Sequence, residues 1–340
     1  MSRRVRKGGP AGYNDSIGPI SIAPLCFIVA DDLTGACDAA VPFATRGYRA
    51  TVLLDAGQPM PQDGIVAVTT DSRGRQDCDP QAVMKPFRDV HPRILFKKID
   101  SLLRGNAPAE IAAALAVFGC DAAVITPAFP RTGRFVESGL LRVPFLDDLA
   151  PVDVAAHFRP CGLDRFCAGD IRSDGDLDAI VAAAPSSARP ILWAGSAGLA
   201  AALARTLPSL GRGARVRGSA GNVLFAIGSR HFLTVEQQRL LAAARPSSLI
   251  LPIPCDCLGE RLFQARESIG ALLLSGGDTA AEVCRAIGAR AIELQDEILP
   301  GLPAGRLSGG LFDGVAVATK SGAFGPPDAL IQVAEYFTCH

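Results

Sequence analysis

The chain has 340 residues, no formal net charge, and 49% hydrophobic against 20% charged residues. That apolar content supports two domains or one large α/β unit, and the charge balance excludes bulk attraction to nucleic acid or a membrane surface. No stretch reaches the ~18–20 apolar residues of a membrane span, and the ten cysteines lack paired metal-ligand spacing, which favours reduced thiols in the cytoplasm.

Residues 1–22 are rich in Gly, Pro, Ser and Arg and read as a flexible tail without a signal-peptide core. A rhythm then begins in which a β-branched run leads into a small polar loop and an Ala-rich helix. "CFIVA" leads into "DDLTG" and a helix ending near Gly47. "IVAVTT" leads into "DSR" and a helix over Pro80 to Val90, and "ILFKKI" into "DSLLRGN" and a helix over Pro108 to Phe118. "AAVIT" precedes "PAFPRTGR", and "PILWAGSAG" precedes "LAAALART". The Gly-, Ser- and Arg-rich stretch Leu207 to Gly221 breaks the rhythm and reads as a linker. Beyond it come "VLFAIGS" with "TVEQQRLLAAA", "ALLLSGGD" with "TAAEVCRAIG", and "VAVATKSGAFG" with "DALIQVAEYF".

This alternation predicts an α/β protein of two domains, each a mainly parallel sheet flanked by helices, with the active site in the cleft between them. The domains are expected at 23–207 and 221–340, joined by a linker at 208–220.

Ligands of open parallel sheets bind beyond the carboxyl ends of the strands. In the first domain those ends carry Asp31, Asp32, Thr34 and Asp38, then Asp71, Ser72 and Arg73, then Lys97, Lys98, Asp100, Ser101 and Arg104. Carboxylates, guanidinium and ammonium groups in one crevice suit a small polyhydroxylated acid. Asp and Ser at these places also read as helix caps, but two adjacent carboxylates exceed what one cap needs. Lys97 and Lys98 point to opposite faces of a strand. Lys98 shares the face of Asp100, and Lys97 reads as an outward or edge charge.

The second domain has glycine-rich tips. "SGGDTAAE" is a strand end running into a helix start capped by Asp278 or Thr279, and "TKSGAFG" and "IGSRH" are two more small-residue loops. Helix N-termini and glycine loops bind phosphate, and three in one domain point to a nucleotide site. The chain has neither a G-x-x-x-x-G-K-[ST] loop nor a strand-borne G-x-G-x-x-G. A sugar-acid pocket facing a phosphate pocket is the layout of a phosphotransferase.

The blocks "IVADDLTGACDAA", "TTDSR", "FKKIDSLLRGN", "TPAFPRTGR", "GSAGLA", "IGSR", "SGGDTAAEVCRAIG", "EILPGLP" and "TKSGAFGPPDAL" resemble, in order, the motifs of the four-carbon acid sugar kinases. The resemblance spans nearly the whole chain after the tail. It implies ATP-dependent phosphorylation of the terminal hydroxyl of threonate, erythronate or an oxo-tetronate, with a sugar-acid-binding N-terminal and a nucleotide-binding C-terminal domain. Carried over by position, the substrate contacts are Asp32, Arg73, Lys98, Ile99, Asp100 and Ser101, beside Asp31 and Arg104 from the crevice itself. The nucleotide contacts are Ser229, Gly276, Gly277, Asp278, Thr279 and Gly322 or Gly325. Asp32 or Asp100 would be the base, with Mg²⁺ carried mainly on ATP.

The chain departs from the family in looking shorter after Leu146 and between about Pro246 and Glu267. Those trims motivate the alternative of a non-catalytic ligand-binding or regulatory descendant. An aspartyl phosphatase is disfavoured by the adjacent placement of Asp31 and Asp32, and a Schiff-base aldolase using Lys98 leaves the glycine loops unexplained. The partners expected are a small sugar acid and ATP, with neither nucleic acid nor membrane. Self-association and the stereoisomer used are left open.

Overall fold

The computed structural model describes residues 23–338 apart from 56, 76, 145–149, 163–168, 185–188 and 323. The expected tail and the expected trim at Leu146 lie outside the described residues. The first half runs β1 (Cys26–Ala30), α1 (Leu33–Ala44), β2 (Ala50–Leu53), β3 (Ile65–Thr69), α2 (Pro80–Met84), β4 (Ile94–Lys98), α3 (Ala107–Phe118), β5 (Ala122–Thr126), β6 (Phe135–Glu137), β7 (Leu140–Arg142), β8 (Val152–Asp153), α4 (Val154–Phe158), α5 (Asp174–Ala182), β9 (Ile191–Gly195) and α6 (Ala197–Arg205). The second half runs β10 (Asn222–Ile227), α7 (Phe232–Ala244), β11 (Leu249–Pro252), α8 (Leu258–Ala265), β12 (Ile269–Ser275), α9 (Gly277–Ala286), β13 (Ala291–Leu299), β14 (Leu302–Ser308), β15 (Ala316–Lys320) and α10 (Ala329–Thr338).

Twelve strands form one sheet in the order β11-β10-β12-β15-β14-β13-β2-β3-β1-β4-β9-β5. The outer blocks are parallel, and their strands β1, β4, β12 and β15 are buried along their whole length because helices cover both faces. The hairpin β13–β14 joins the blocks through antiparallel pairs to β2 and β15. The sequence rhythm did not include β2, β11 or this hairpin. β2 and β11 are only four residues long, and β13 carries Glu293, Gln295, Asp296 and Glu297 with two register shifts, so its apolar alternation is interrupted.

Helix α1 lies at the centre. All its residues except Pro42 are buried, and it packs against α6, α9, β3 and the hairpin, so one apolar cluster runs through both halves. A helix buried on all sides needs small residues for close approach; Gly35, Ala36, Cys37, Ala39 and Ala40 supply them. The helix expected over Pro80 to Val90 is α-helical only to Met84 and then 3₁₀ through Phe87, since Pro86 has no N–H to donate to the Ala82 carbonyl.

Lys97 corrects another expectation. It is 0% exposed rather than outward-facing. Strand β4 is covered on both faces, and the Lys97 face lies under α3, whose Glu110 sits 2.7 Å from Lys97 Nζ. Ser72 Oγ donates to the other Glu110 oxygen at 2.6 Å. Removing one partner would leave a buried charge uncompensated. Glu110→Ala should therefore cost about 3–5 kcal/mol in urea unfolding, and Lys97→Met with Glu110→Leu should recover more than half of that loss.

Candidate active site

Asp32 has extended backbone and caps α1, accepting from the Gly35 N–H at 2.6 Å and from Thr34 Oγ1 at 3.0 Å. Asp31 does not cap. Both its oxygens accept from Arg73, through Nε and Nη2 at 2.7 Å each. Arg73 Nη1 donates to Asp32 and stands 3.6 Å from Asp100. The adjacent carboxylates thus converge on one guanidinium, which uses three of an arginine's five N–H donors on them. Asp100 is held by Arg104 at 2.7 and 2.8 Å and accepts from the backbone N–H groups of Leu102 and Arg104.

These contacts divide the carboxylates. Burial pushes Asp100 up, but hydrogen bonds from Arg104 and the charges of Arg73 and Arg104 hold it well below the usual range. Burial also opposes ionisation of Asp31, yet Arg73, Lys97 and Lys98 keep it low. Asp32 lies above the usual range, because burial and repulsion from Asp31 outweigh Arg73.

Lys98 and Asp100 line one narrow cavity with Ser101, as their shared strand face requires, and Lys98 Nζ donates to the Ile99 carbonyl at 2.8 Å. The side chain of Ile99 turns into the core. Asp71 has a left-handed backbone (φ 50) and faces Arg285 at 3.9 Å, in a separate cavity of about 480 Å³ that contains none of the gathered residues.

The narrow cavity shares Asp32, Arg73 and Ser321 with a cleft of about 410 Å³. Ser229, Gly276, Gly277, Asp278, Thr279 and Gly322 form the opposite wall of that cleft; Gly325 lines a neighbouring cavity with Arg131 and Arg134. Neither Asp278 nor Thr279 caps α9. The cap is Gly276 at φ 109, without a side-chain bond, which leaves the first-turn N–H groups free of intrahelical acceptors. A Cβ on Gly277 would stand 3.0 Å from Cβ and Cγ of Asp32 and closer still to its carboxylate oxygen. His231 Nδ1 accepts from the Leu233 N–H at 3.3 Å, capping α7.

Lys320, at the end of β15, was not among the sequence candidates. Its Nζ donates to Ser321 O at 3.0 Å and to Gly322 O and Thr234 Oγ1 at 3.2 and 3.3 Å. Thr234 Oγ1 in turn donates to Gly322 O at 2.8 Å and lies 3.3 Å from Ser229 Oγ. Burial lowers the lysine to about 7. The sequence signal was a charged residue closing an apolar strand just before a glycine loop. Among the described residues no group of three or more His, Cys, Asp or Glu is placed to hold a metal, and no helix is long and apolar enough to cross a membrane.

Residues 26–157 match a sugar-binding N-terminal domain, and residues 254–330 a nucleotide-binding C-terminal domain. A D-threonate kinase of Bordetella bronchiseptica is 30% identical over 400 aligned positions, covering 92% of this chain and 97% of the relative. A D-erythronate kinase of Heliobacterium modesticaldum is 26% identical, covering 91% and 96%. A 3-oxo-tetronate kinase of Pseudomonas fluorescens is 25% identical, covering 90% and 95%. The 400 positions of the first alignment exceed the 340 residues of this chain, so that relative carries segments without a counterpart here. A Salmonella typhimurium protein of known structure shares the fold, with a TM-score of 0.67 at 18% identity over 92% of this chain and 99% of its own.

Close approach at Gly277 gives a direct test of how the two walls meet. Gly277→Ala should lose about 1–3 kcal/mol in chemical denaturation by displacing the Asp32 cap. Gly74→Ala, where a Cβ meets nothing within 4 Å, should change little.

Proposed function

This chain belongs to the four-carbon acid sugar kinases, and from that premise we propose that it transfers the γ-phosphoryl group of ATP to the terminal hydroxyl of a threonate, an erythronate or an oxo-tetronate. One observation carries the reading: the Asp32 carboxylate abuts Gly277 at the start of α9. A carboxylate that can take a hydroxyl proton therefore stands against the helix end best suited to a transferring phosphate.

The roles follow from the site. The acid enters the cleft with its carboxylate toward Lys98 and the two N–H donors that Arg73 retains. The terminal hydroxyl lies against Asp32. Its oxygen bonds to the γ-phosphorus, the bond to the bridging oxygen of ADP breaks, and its proton passes to Asp32. Asp32 suits a base because burial and Asp31 raise it, whereas Asp100 is pinned low by Arg104. The N–H groups of Gly277–Thr279 and the Gly322 loop receive phosphate oxygens, and Lys320 braces that loop from below. Mg²⁺ would be held by phosphate oxygens and water, with Asp278 the exposed carboxylate at the helix start, and would neutralise phosphate charge.

Purified protein with MgATP and a panel of D- and L-threonate, D- and L-erythronate and oxo-tetronates should show ADP release with one acid and a product heavier by one phosphoryl group. ATP binding without any responder would remove the proposed substrate class. With the responding acid, Asp32→Asn should lower kcat by about 10²–10⁴-fold, and its pH–rate profile should lose an acid limb lying above the ordinary aspartate range. Full activity in Asp32→Asn would transfer the base role elsewhere.

A further inference from the structure

Asp38 lies one turn beyond Thr34 on α1 and is 4% exposed. Its Oδ1 is fully buried and has no hydrogen-bond partner among the described residues. The side chain lines the narrow cavity with Thr34, Lys98, Asp100, Ser101 and Gly301. A buried carboxyl that serves only the fold is normally hydrogen-bonded to protein or to ordered water, since leaving it bare forfeits its hydration without return. This one instead lines the narrow cavity with Lys98 and Ser101, about 10 Å³ in volume and joined to the cleft through Asp32, Arg73 and Ser321, which leaves room for one hydroxyl-sized group.

The surroundings limit what it can meet. Lys98 approaches from β4, Asp32 from the α1 cap, Glu297 from β13 and Arg134 from the loop after β5. Arg134 lies over the Phe324 ring, 4.5 Å from its centroid. The negative neighbours oppose a second anionic group beside Asp38. Burial raises its carboxyl to about 7, so both protonation states are present near neutrality. A hydroxyl satisfies either one, donating to the carboxylate or accepting from the acid.

We propose that Asp38 is a specificity-determining residue that hydrogen-bonds a secondary hydroxyl, at C2 or C3, of the bound four-carbon acid. The assignment rests on the substrate class proposed above. It makes Asp38 the group that senses whether the hydroxyl is present and which way it points, while Arg73 and Lys98 sense only the carboxylate common to all such acids.

The test pairs deletion of the side chain with deletion of the hydroxyl. Full-length wild type, Asp38→Asn and Asp38→Ala, each checked for folding by circular dichroism, are titrated calorimetrically with the preferred trihydroxy acid. The same titrations use 3,4-dihydroxybutanoate, which lacks the C2 hydroxyl, and 2,4-dihydroxybutanoate, which lacks that at C3. Wild type should bind one of the two analogues about 10–100-fold more weakly than the parent acid. Asp38→Ala should weaken the parent acid by a similar factor yet bind that same analogue within threefold of wild type, and Asp38→Asn should fall between. Equal losses on all three ligands, or no loss on the parent acid, would overturn the assignment. Because binding is read without turnover, a protein that binds the acid but does not phosphorylate it refutes the kinase reading while still deciding Asp38; failure to bind any of the acids overturns both.

Discussion

The antiparallel hairpin β13–β14 is the constraint on which the site depends. It reverses strand direction between two parallel blocks of one sheet, so in a flat sheet their carboxyl ends would lie at opposite edges. Sheets are not flat. A twist of about 20–25° per strand accumulates to about 120–150° over the six steps from β1 to β12. Wrapped around α1, the two blocks turn their carboxyl ends toward each other, and Asp32 meets Gly277. The central helix therefore needs small residues along its length, and the hairpin tip at Gly301 reaches the cavity that the two blocks enclose.

Charge is concentrated where those ends meet, and its balance gives the carboxylates different characters. Asp31 and Asp100 are each gripped by a two-pronged arginine and stay ionised. Asp32 shares Arg73 with Asp31 and is raised by that neighbour as well as by burial. Asp38 is as buried as Asp32, and Lys98 is its principal compensating charge, with Arg134 a lesser one. Four aspartates within one site thus span acidities from strongly acidic to near neutral, which lets fixed counter-ion, proton acceptor and hydroxyl contact be separate residues.

The glycine-rich wall is organised differently, by backbone rather than by charge. Gly276 takes a positive φ of 109, Gly322 leaves the space that the Ser229 hydroxyl fills, and the open N–H groups of α9 supply donors. Lys320 lies beneath them, bonded to two carbonyls and a threonine hydroxyl and, among the described residues, without a carboxylate partner. Its contacts fix the loop at Ser321 and Gly322 to α7, and Thr234 extends the tie to Ser229. In the proposed transfer, donors held rigidly in this way would need no rearrangement.

Much of this was legible in the sequence. β1 and β5 coincide with "CFIVA" and "AAVIT", since buried parallel strands appear as uninterrupted apolar runs bounded by turn residues. The polar groups at the strand tips were visible because a parallel sheet places chemistry there by rule. The linking hairpin was not legible, because its polar and bulged strand hides its period. Nor was the burial of Lys97, which depends on α3 bringing Glu110 over that face of β4. The bare cap at Gly276 was equally hidden, as Asp278 and Thr279 both read as caps in sequence. The sequence alone thus determined most of the parallel strands and their helices, the polar clusters at their ends and the kinase family, because these follow from local periodicity and from order along the chain. Only the tertiary structure decided that Arg73 gathers Asp31 and Asp32, that Lys320 lies under the glycine loop and that Asp38 faces the cavity unpaired. Each of those facts depends on which distant segment packs against a side chain, and the reversal and twist of a twelve-stranded sheet fix that pairing.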